Sequence, residues 1–270
     1  MKNVVMRMIL SATMTAILMT CFVTPCAAAG SKAFKNAKLP ESVTLQQYNK
    51  STKSWEATGT YTFTYNEKGD PITIEWNSYL YRSDYTRTVS YEYRKNGKRK
   101  SATYIETGTR WEGSVGSGSW VDYTDKGKIT YDKQGRRTKD SGAEAKYKYK
   151  KGGLFIGNPK HSCIKKTKIR SWGKGILRKV RVYDDDLSMW LTDSTFNKKG
   201  LIKTLFESYN KRTKYHYSYD KETGLVKTKR AGKIRYLFKY TTKKAGQMRY
   251  RTMINSFPGA FEDDLYFFWY

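Results

Sequence analysis

Aromatic and polar residues alternate with a period of two along most of this chain. Tyr61, Phe63 and Tyr65 fall on one side of an extended backbone, with Thr60, Thr62 and Thr64 on the other. Ile72, Ile74 and Trp76 alternate with Thr73 and Glu75, and Val89, Tyr91 and Tyr93 alternate with Ser90, Glu92 and Arg94. Tyr215, Tyr217 and Tyr219 flank His216 and Ser218, and Ile234, Tyr236, Phe238 and Tyr240 close the series. A two-residue period marks half-buried strands, and apolar spacing of three and four is almost missing, so helix should be scarce. Roughly a dozen to sixteen strands are expected, too many for a flat open sheet. The pattern predicts an all-β fold, an antiparallel meander of β-hairpins curled into a barrel-like or half-barrel sheet. Its buried face should carry Phe63, Tyr65, Ile74, Trp76, Tyr91, Tyr93, Tyr217, Tyr219, Tyr236 and Phe238. Thr62, Thr64, Glu92 and Arg235 should be more exposed.

The alternating runs end in a recurring signal, an aromatic residue followed four places later by glycine. It stands as Tyr65-Asn-Glu-Lys-Gly69, Tyr93-Arg-Lys-Asn-Gly97, Tyr123-Thr-Asp-Lys-Gly127, Tyr131-Asp-Lys-Gln-Gly135 and Phe196-Asn-Lys-Lys-Gly200, with stretched copies ending at Gly224 and Gly246. A short hairpin loop needs one residue at positive φ, which glycine supplies without strain. Glycines 69, 97, 127, 135 and 200 are therefore expected in tight turns. Gly97→Val is expected to cost more than the same change at Gly59, which has no repeat context.

Tyr131-Asp132 before Gly135, Tyr219-Asp220 before Gly224 and Tyr65-Asn66 before Gly69 resemble the Tyr-Asp, or RHS-type, repeats of exported bacterial proteins. They are also similar to degenerate copies in exported bacterial domains of unknown function, some of them porin-like barrels. The resemblance covers about residues 61–246 with a gap at 154–195. It implies an exported β-repeat protein and supplies no catalytic residues.

Residues 1–29 read as a secretory signal peptide: Lys2 and Arg7 precede an apolar run from Met8 to Val23, and Ala27-Ala28-Ala29 offers a cleavage site. A retained anchor or lipidation at Cys21 are the rival readings of this segment. Residues 30–60 read as an N-terminal tether and first strand, and 61–270 as the β-hairpin-repeat domain. Cleavage would leave Cys163 as the sole cysteine, so no internal disulfide is expected.

Removing residues 1–29 takes two basic residues and no acidic one, leaving 50 basic against 24 acidic, a net +26. So much charge with few aliphatic residues would ordinarily read as disorder. The 23 tyrosines, 11 phenylalanines and 7 tryptophans reverse that reading, because rings bury large areas and pair across strands. The cations run in ladders: Lys146, Lys148, Lys150 and Lys151; Lys165, Lys166, Lys168 and Arg170; Arg178, Lys179 and Arg181; and Lys227, Lys229, Arg230, Lys233 and Arg235. Strand alternation would set many of these on one face, suited to a linear polyanion. The expected partners are anionic polymers of the cell envelope, namely teichoic acid, anionic glycans or lipid head groups, with extracellular nucleic acid a further candidate. A solvated face that keeps strand edges from pairing is the plainer use of the same charge.

Nothing in the sequence specifies catalysis. His161-Ser162-Cys163 alternates along one strand and forms no local Cys–His pair, and His216 lies among outward polar residues. Asp184-Asp185-Asp186, with Asp193, lacks the alternating spacing of a calcium loop and reads as a turn. No catalytic, cofactor or metal-binding residues are expected. The sequence points to a non-catalytic, secreted or envelope-associated β-repeat protein. The alternatives are an outer-membrane β-barrel, for which the aromatic ending Leu265 to Tyr270 speaks, and an extracellular carbohydrate-active enzyme.

Overall fold

In a computed structural model, the protein is described at residues 34, 36–79, 83–113, 117–133, 135, 137–142, 145–150, 153–157, 164–173, 176–184, 189–207 and 212–255. Residues 36–270 cluster as one unit, to which every element below belongs. The strands are β1 (Lys38–Asn49), β2 (Ser54–Tyr65), β3 (Pro71–Ser78), β4 (Tyr85–Tyr93), β5 (Arg99–Glu112) and β6 (Ser119–Tyr131). Next come β7 (Arg137–Asp140), β8 (Ala145–Lys150), β9 (Gly153–Gly157), β10 (Ile164–Gly173), β11 (Ile176–Asp184) and β12 (Met189–Phe196). The last are β13 (Ile202–Glu207), β14 (Thr213–Lys214), β15 (His216–Tyr219), β16 (Val226–Ala231) and β17 (Ile234–Lys244), followed by one helix, α1 (Gln247–Asn255).

The fold is an antiparallel meander. Twelve strands pair in the order β15-β16-β17-β1 and on through β9, and β10 to β14 form a five-stranded sheet. Strands pair with their neighbours in sequence, with one addition: β17, the last, pairs with β1, the first, setting Val43 opposite Phe238. β9 and β10 lie side by side, although no ladder joins them among the described residues. Tyr215 carries the chain from β14 to β15, and its N–H bonds Lys203 O of β13 at 3.0 Å. Of residues 30–60, read above as tether and first strand, 38–60 hold β1 and most of β2, both inside the twelve-stranded sheet.

The repeat turns share one construction. In the first, Asn66 N–H bonds Asp70 O at 3.0 Å, Gly69 N–H bonds Asn66 O at 2.9 Å, and Asn66 Oδ1 accepts Asp70 N–H at 2.9 Å. Asn197 to Leu201 repeats that set, and Asp220 Oδ1 likewise accepts the N–H groups of Glu222 and Thr223. The Asn or Asp after the aromatic thus caps the loop with its own side chain. Glycines 69, 97, 135, 200 and 224 all have positive φ, between 70° and 83°. Beyond each of these glycines the register slips, so that Tyr65 faces Pro71, Tyr93 faces Arg99, Tyr131 faces Arg137, Phe196 faces Ile202 and Tyr219 faces Val226.

Those bulges explain how a tyrosine interior satisfies its hydroxyls. Tyr91 donates to Pro71 O at 3.0 Å, Tyr217 to Ile202 O at 2.7 Å and Tyr240 to Val226 O at 2.7 Å, each acceptor lying at a slip. Tyr65 donates to Pro40 O at 2.6 Å, at an irregularity of β1. Buried hydroxyls need partners, and a bulge frees a carbonyl from the ladder to supply one. Burial pushes the Tyr65, Tyr91, Tyr217 and Tyr240 hydroxyls well above the ordinary phenol range, so they remain donors at any physiological pH.

The buried face follows the aromatic rows. Phe63, Ile74, Tyr236 and Phe238 are buried, and Tyr65, Trp76, Tyr91, Tyr93, Tyr217 and Tyr219 half-buried. Thr64 and Glu92 are exposed, and Thr62 and Arg235 lie between. Rings two residues apart stack along a strand, Tyr61 with Phe63 and Phe63 with Tyr65 at 6.4 Å, and Tyr91 with Tyr93 at 6.1 Å.

Three expectations about glycine are corrected. Gly127 lies inside β6 opposite Tyr104, where a Cβ would come 2.3 Å from the phenol ring; it makes room for a side chain and forms no turn. Gly246 opens α1, its carbonyl accepting Tyr250 N–H at 3.1 Å. Gly59 lies under Trp76, with an added Cβ 2.1 Å from Cη2, whereas one at Gly97 would meet nothing within 4 Å. Gly59 is therefore the less replaceable of the pair.

The helix fastens the two sheets. Arg249 donates to Lys68 O in the β2–β3 turn, and Arg251 donates to Lys199 O in the β12–β13 turn at 2.8 Å. Asn255 accepts Ile202 N–H and donates to Gly200 O, both at 2.9 Å. Val226 N–H donates to the Tyr250 hydroxyl at 2.7 Å, and Tyr250 and Ile254 are fully buried.

Candidate functional site

The strand register, which the sequence does not contain, turns the cation ladders into cross-strand pairs. Lys146, Lys148 and Lys150 lie in β8, and Lys146 stands opposite Lys139 of β7. Lys165, Lys166, Lys168 and Arg170 lie in β10, with Lys168 opposite Arg181 and Arg170 opposite Lys179 of β11. Arg170 and Arg178 are exposed, and Val180, between Lys179 and Arg181, is buried. Arg230 of β16 stands opposite Arg235 of β17. Like charges directly opposite one another destabilise a sheet. Because β8, β9, β10 and β11 follow side by side, three of the ladders gather on neighbouring strands. The fourth lies apart, on β16 and β17. Lys151 falls outside the described residues.

Lys229 is removed from the set. It is fully buried, its ammonium donating to Ile254 O at 3.1 Å and Asn255 O at 3.4 Å, the last carbonyls of α1. Helices end in unsatisfied carbonyls and a partial negative charge, which a buried cation satisfies. Its ladder mates Lys227, Arg230 and Lys233 remain exposed.

Around Arg235 the cations meet rings. Its guanidinium lies 4.4 Å from the Trp55 ring and that of Arg230 lies 5.2 Å away, while Tyr48 meets Trp55 edge-on at 5.4 Å. Partial burial, then the neighbouring Arg230, lowers the pKa of Arg235. Lys50 does the same to the exposed Lys233 ammonium.

The inward face holds a second cluster that sequence reasoning missed. Asp70, the residue after the turn glycine of the first repeat, is 2% exposed. It accepts Arg99 Nε at 3.0 Å, the Tyr93 hydroxyl at 2.6 Å and Arg249 Nη2 at 2.8 Å. Burial pushes its carboxyl up, but the bonds and charges of Arg99, Tyr93 and Arg249 outweigh burial and hold it below the ordinary carboxylate range. Burial and the bond to Asp70 push the Tyr93 hydroxyl up to about 12. Burial pulls the Arg249 guanidinium down despite Asp70. Further along the same face Arg87 bonds Glu106 at 2.8 Å, and Arg137 lies 3.4 Å from Asp140. The available signal was Asp70 itself, a carboxylate where the other turn repeats carry Lys98, Arg136, Leu201 and Leu225.

His216 is exposed, on the polar side of β15. His161, Ser162, Cys163, Asp185 and Asp186 lie outside the described residues, as does the aromatic ending at 265–270.

No protein-family model matches this chain, and no curated protein does. Among solved structures it is similar to a porin-like protein from Bacteroides uniformis ATCC 8492, at 11% identity and a TM-score of 0.33. The likeness covers 76% of this chain and 99% of that one.

Proposed function

We propose that this chain is an exported, non-catalytic β-repeat protein, secreted or held at the bacterial envelope, that binds anionic polymers through its cross-strand cation pairs. The observation that carries the reading is the register. Lys139 with Lys146, Lys168 with Arg181, Arg170 with Lys179 and Arg230 with Arg235 are cations set opposite cations. Such pairs are unfavourable alone and become favourable when a phosphate or carboxylate polymer lies along them and releases its counterions. Wall polymer, anionic glycan, lipid head groups and extracellular nucleic acid share that chemistry.

The β1–β17 pairing is what an up-and-down barrel requires, and it favours the outer-membrane reading as the alternative. Against lipid contact stands the outward face: Thr64, Glu75, Asn77, Thr88, Ser90, Glu92, Thr103 and Lys128 are all exposed. A membrane barrel needs a continuous apolar band there.

The test is binding of the mature chain to poly(glycerol phosphate), double-stranded DNA and anionic vesicles across a salt series. Affinity should fall steeply with salt for each polymer. The double change Arg170→Glu, Lys179→Glu should lower the logarithmic salt slope on DNA by about 2. Salt-independent affinity, or none at low salt, would refute the reading, and release only by detergent would favour the barrel.

A further inference from the structure

Two spaces meet at Arg249. One is a cavity of about 80 Å³ between the aromatic face and α1, walled by Ile74, Tyr91, Tyr131 and Met253 among others. Arg87, Arg99, Arg137 and Arg249 also line it, and no carboxylate does among the described residues. The other is a cleft of about 410 Å³ beside the β2–β3 turn, lined by Lys68, Lys243, Lys244 and Arg249, with Glu67 its one carboxylate among the described residues. Leu39, Gly69, Arg249 and Thr252 line both, so the cavity lies directly behind the cleft. The Arg249 side chain, 31% exposed, stands at the junction.

The charges are arranged to favour an anion. The carboxylates that pair with the inner arginines, Asp70, Glu106 and Asp140, do not line the cavity. Asp70 serves both Arg99 and Arg249, so among the described residues the four guanidiniums share three carboxylates. Low-dielectric walls focus such a field into the cavity. A cleft of Lys68, Lys243, Lys244 and Arg249 beside a ring-lined apolar space fits an anion that carries an apolar group. Eighty cubic ångströms is about half of the 150 Å³ that admits benzene, so that group is a few carbons long.

We propose that cleft and cavity form one binding site for a short-chain carboxylate. The carboxylate lies in the cleft against Arg249, Lys243 and Lys244, and the alkyl group enters the cavity beside Tyr91 and Met253. The site is distinct from the cross-strand cation pairs and does not depend on them.

The test is calorimetric titration of the full chain with acetate, butanoate, hexanoate, decanoate and butan-1-ol. Affinity should rise about fourfold per methylene from acetate towards butanoate, the increment of a buried CH₂, and stop rising once the tail outgrows the cavity. Butan-1-ol should bind at least tenfold more weakly than butanoate. Lys244→Gln should weaken every acid, whereas Met253→Trp should weaken butanoate and leave acetate unchanged. Affinity indifferent to chain length, equal binding of butan-1-ol, or no binding by the wild-type chain would overturn the proposal, whether or not the variants fold.

Discussion

Asp70 concentrates several roles in one side chain. It is buried, accepts from two arginines and a tyrosine, and joins the β2–β3 turn to both β5 and α1. Removing one partner of a buried ion pair strands the other, so Asp70→Asn should destabilise the fold by about 3–5 kcal/mol, read as a lower denaturant midpoint at pH 7. The pH dependence follows from its lowered carboxyl pKa. As pH falls below about 4 the unfolded chain takes up this proton before the folded one does. The stability that the pair supplies is therefore complete above that range and is lost as pH falls through the folded value. Acid titration of unfolding should show a steeper loss below about pH 4 for the wild type than for Asp70→Asn. Glycine offers a second test at this scale. Gly97→Val meets open space and only the αL penalty of about 1–2 kcal/mol, whereas Gly59→Val must displace the Trp76 indole and should lower the melting temperature further.

At the scale of elements, the strands and their neighbour-to-neighbour meander were legible, and the register and the β1–β17 pairing were not. Alternation located the aromatic face correctly, since a strand with one buried side has a two-residue period whatever it pairs with. The repeat glycines marked the turns at 69, 97, 135 and 200. The same motif failed at Gly127, because a glycine under a tyrosine ring and a glycine in a turn look alike in sequence. Helix α1 escaped notice for a related reason. Its nine residues, Gln247 to Asn255, carry charges on two of their first five positions and are held by tertiary bonds to turns far away in sequence. Lys229 shows the consequence for function, one member of a run of cations turned inward to cap that helix. Lys229→Met should leave the Ile254 and Asn255 carbonyls unpaired, at about 1–3 kcal/mol. Faster hydrogen exchange through α1, with polyanion affinity unchanged, is the expected result. Arg230→Glu should do the reverse, weakening polymer binding and leaving α1 protected.

At the scale of the molecule, net charge was readable from composition, and its distribution came only from the strand order. Three ladders separated by loops in the sequence fall on β8, β10 and β11, and the fourth joins Trp55 and Tyr48 elsewhere. If the gathered ladders are the main contact surface, charge reversal on β10 and β11 should reduce polymer affinity more than equal reversal on β16 and β17. Salt-jump measurements on the two variants would rank them.

The pairing of β1 with β17 also has a kinetic meaning. Val43 and Phe238 are separated by almost two hundred positions, and bringing such distant segments together costs about 5 kcal/mol of loop entropy. Local hairpins can form as soon as their turns are made, but the first strand keeps one open edge until the last has been synthesised. Contacts of that span are slow to form. A growing chain would hold its hairpins and still lack a finished sheet, so in refolding the β1–β17 ladder should gain hydrogen-exchange protection later than the local hairpins.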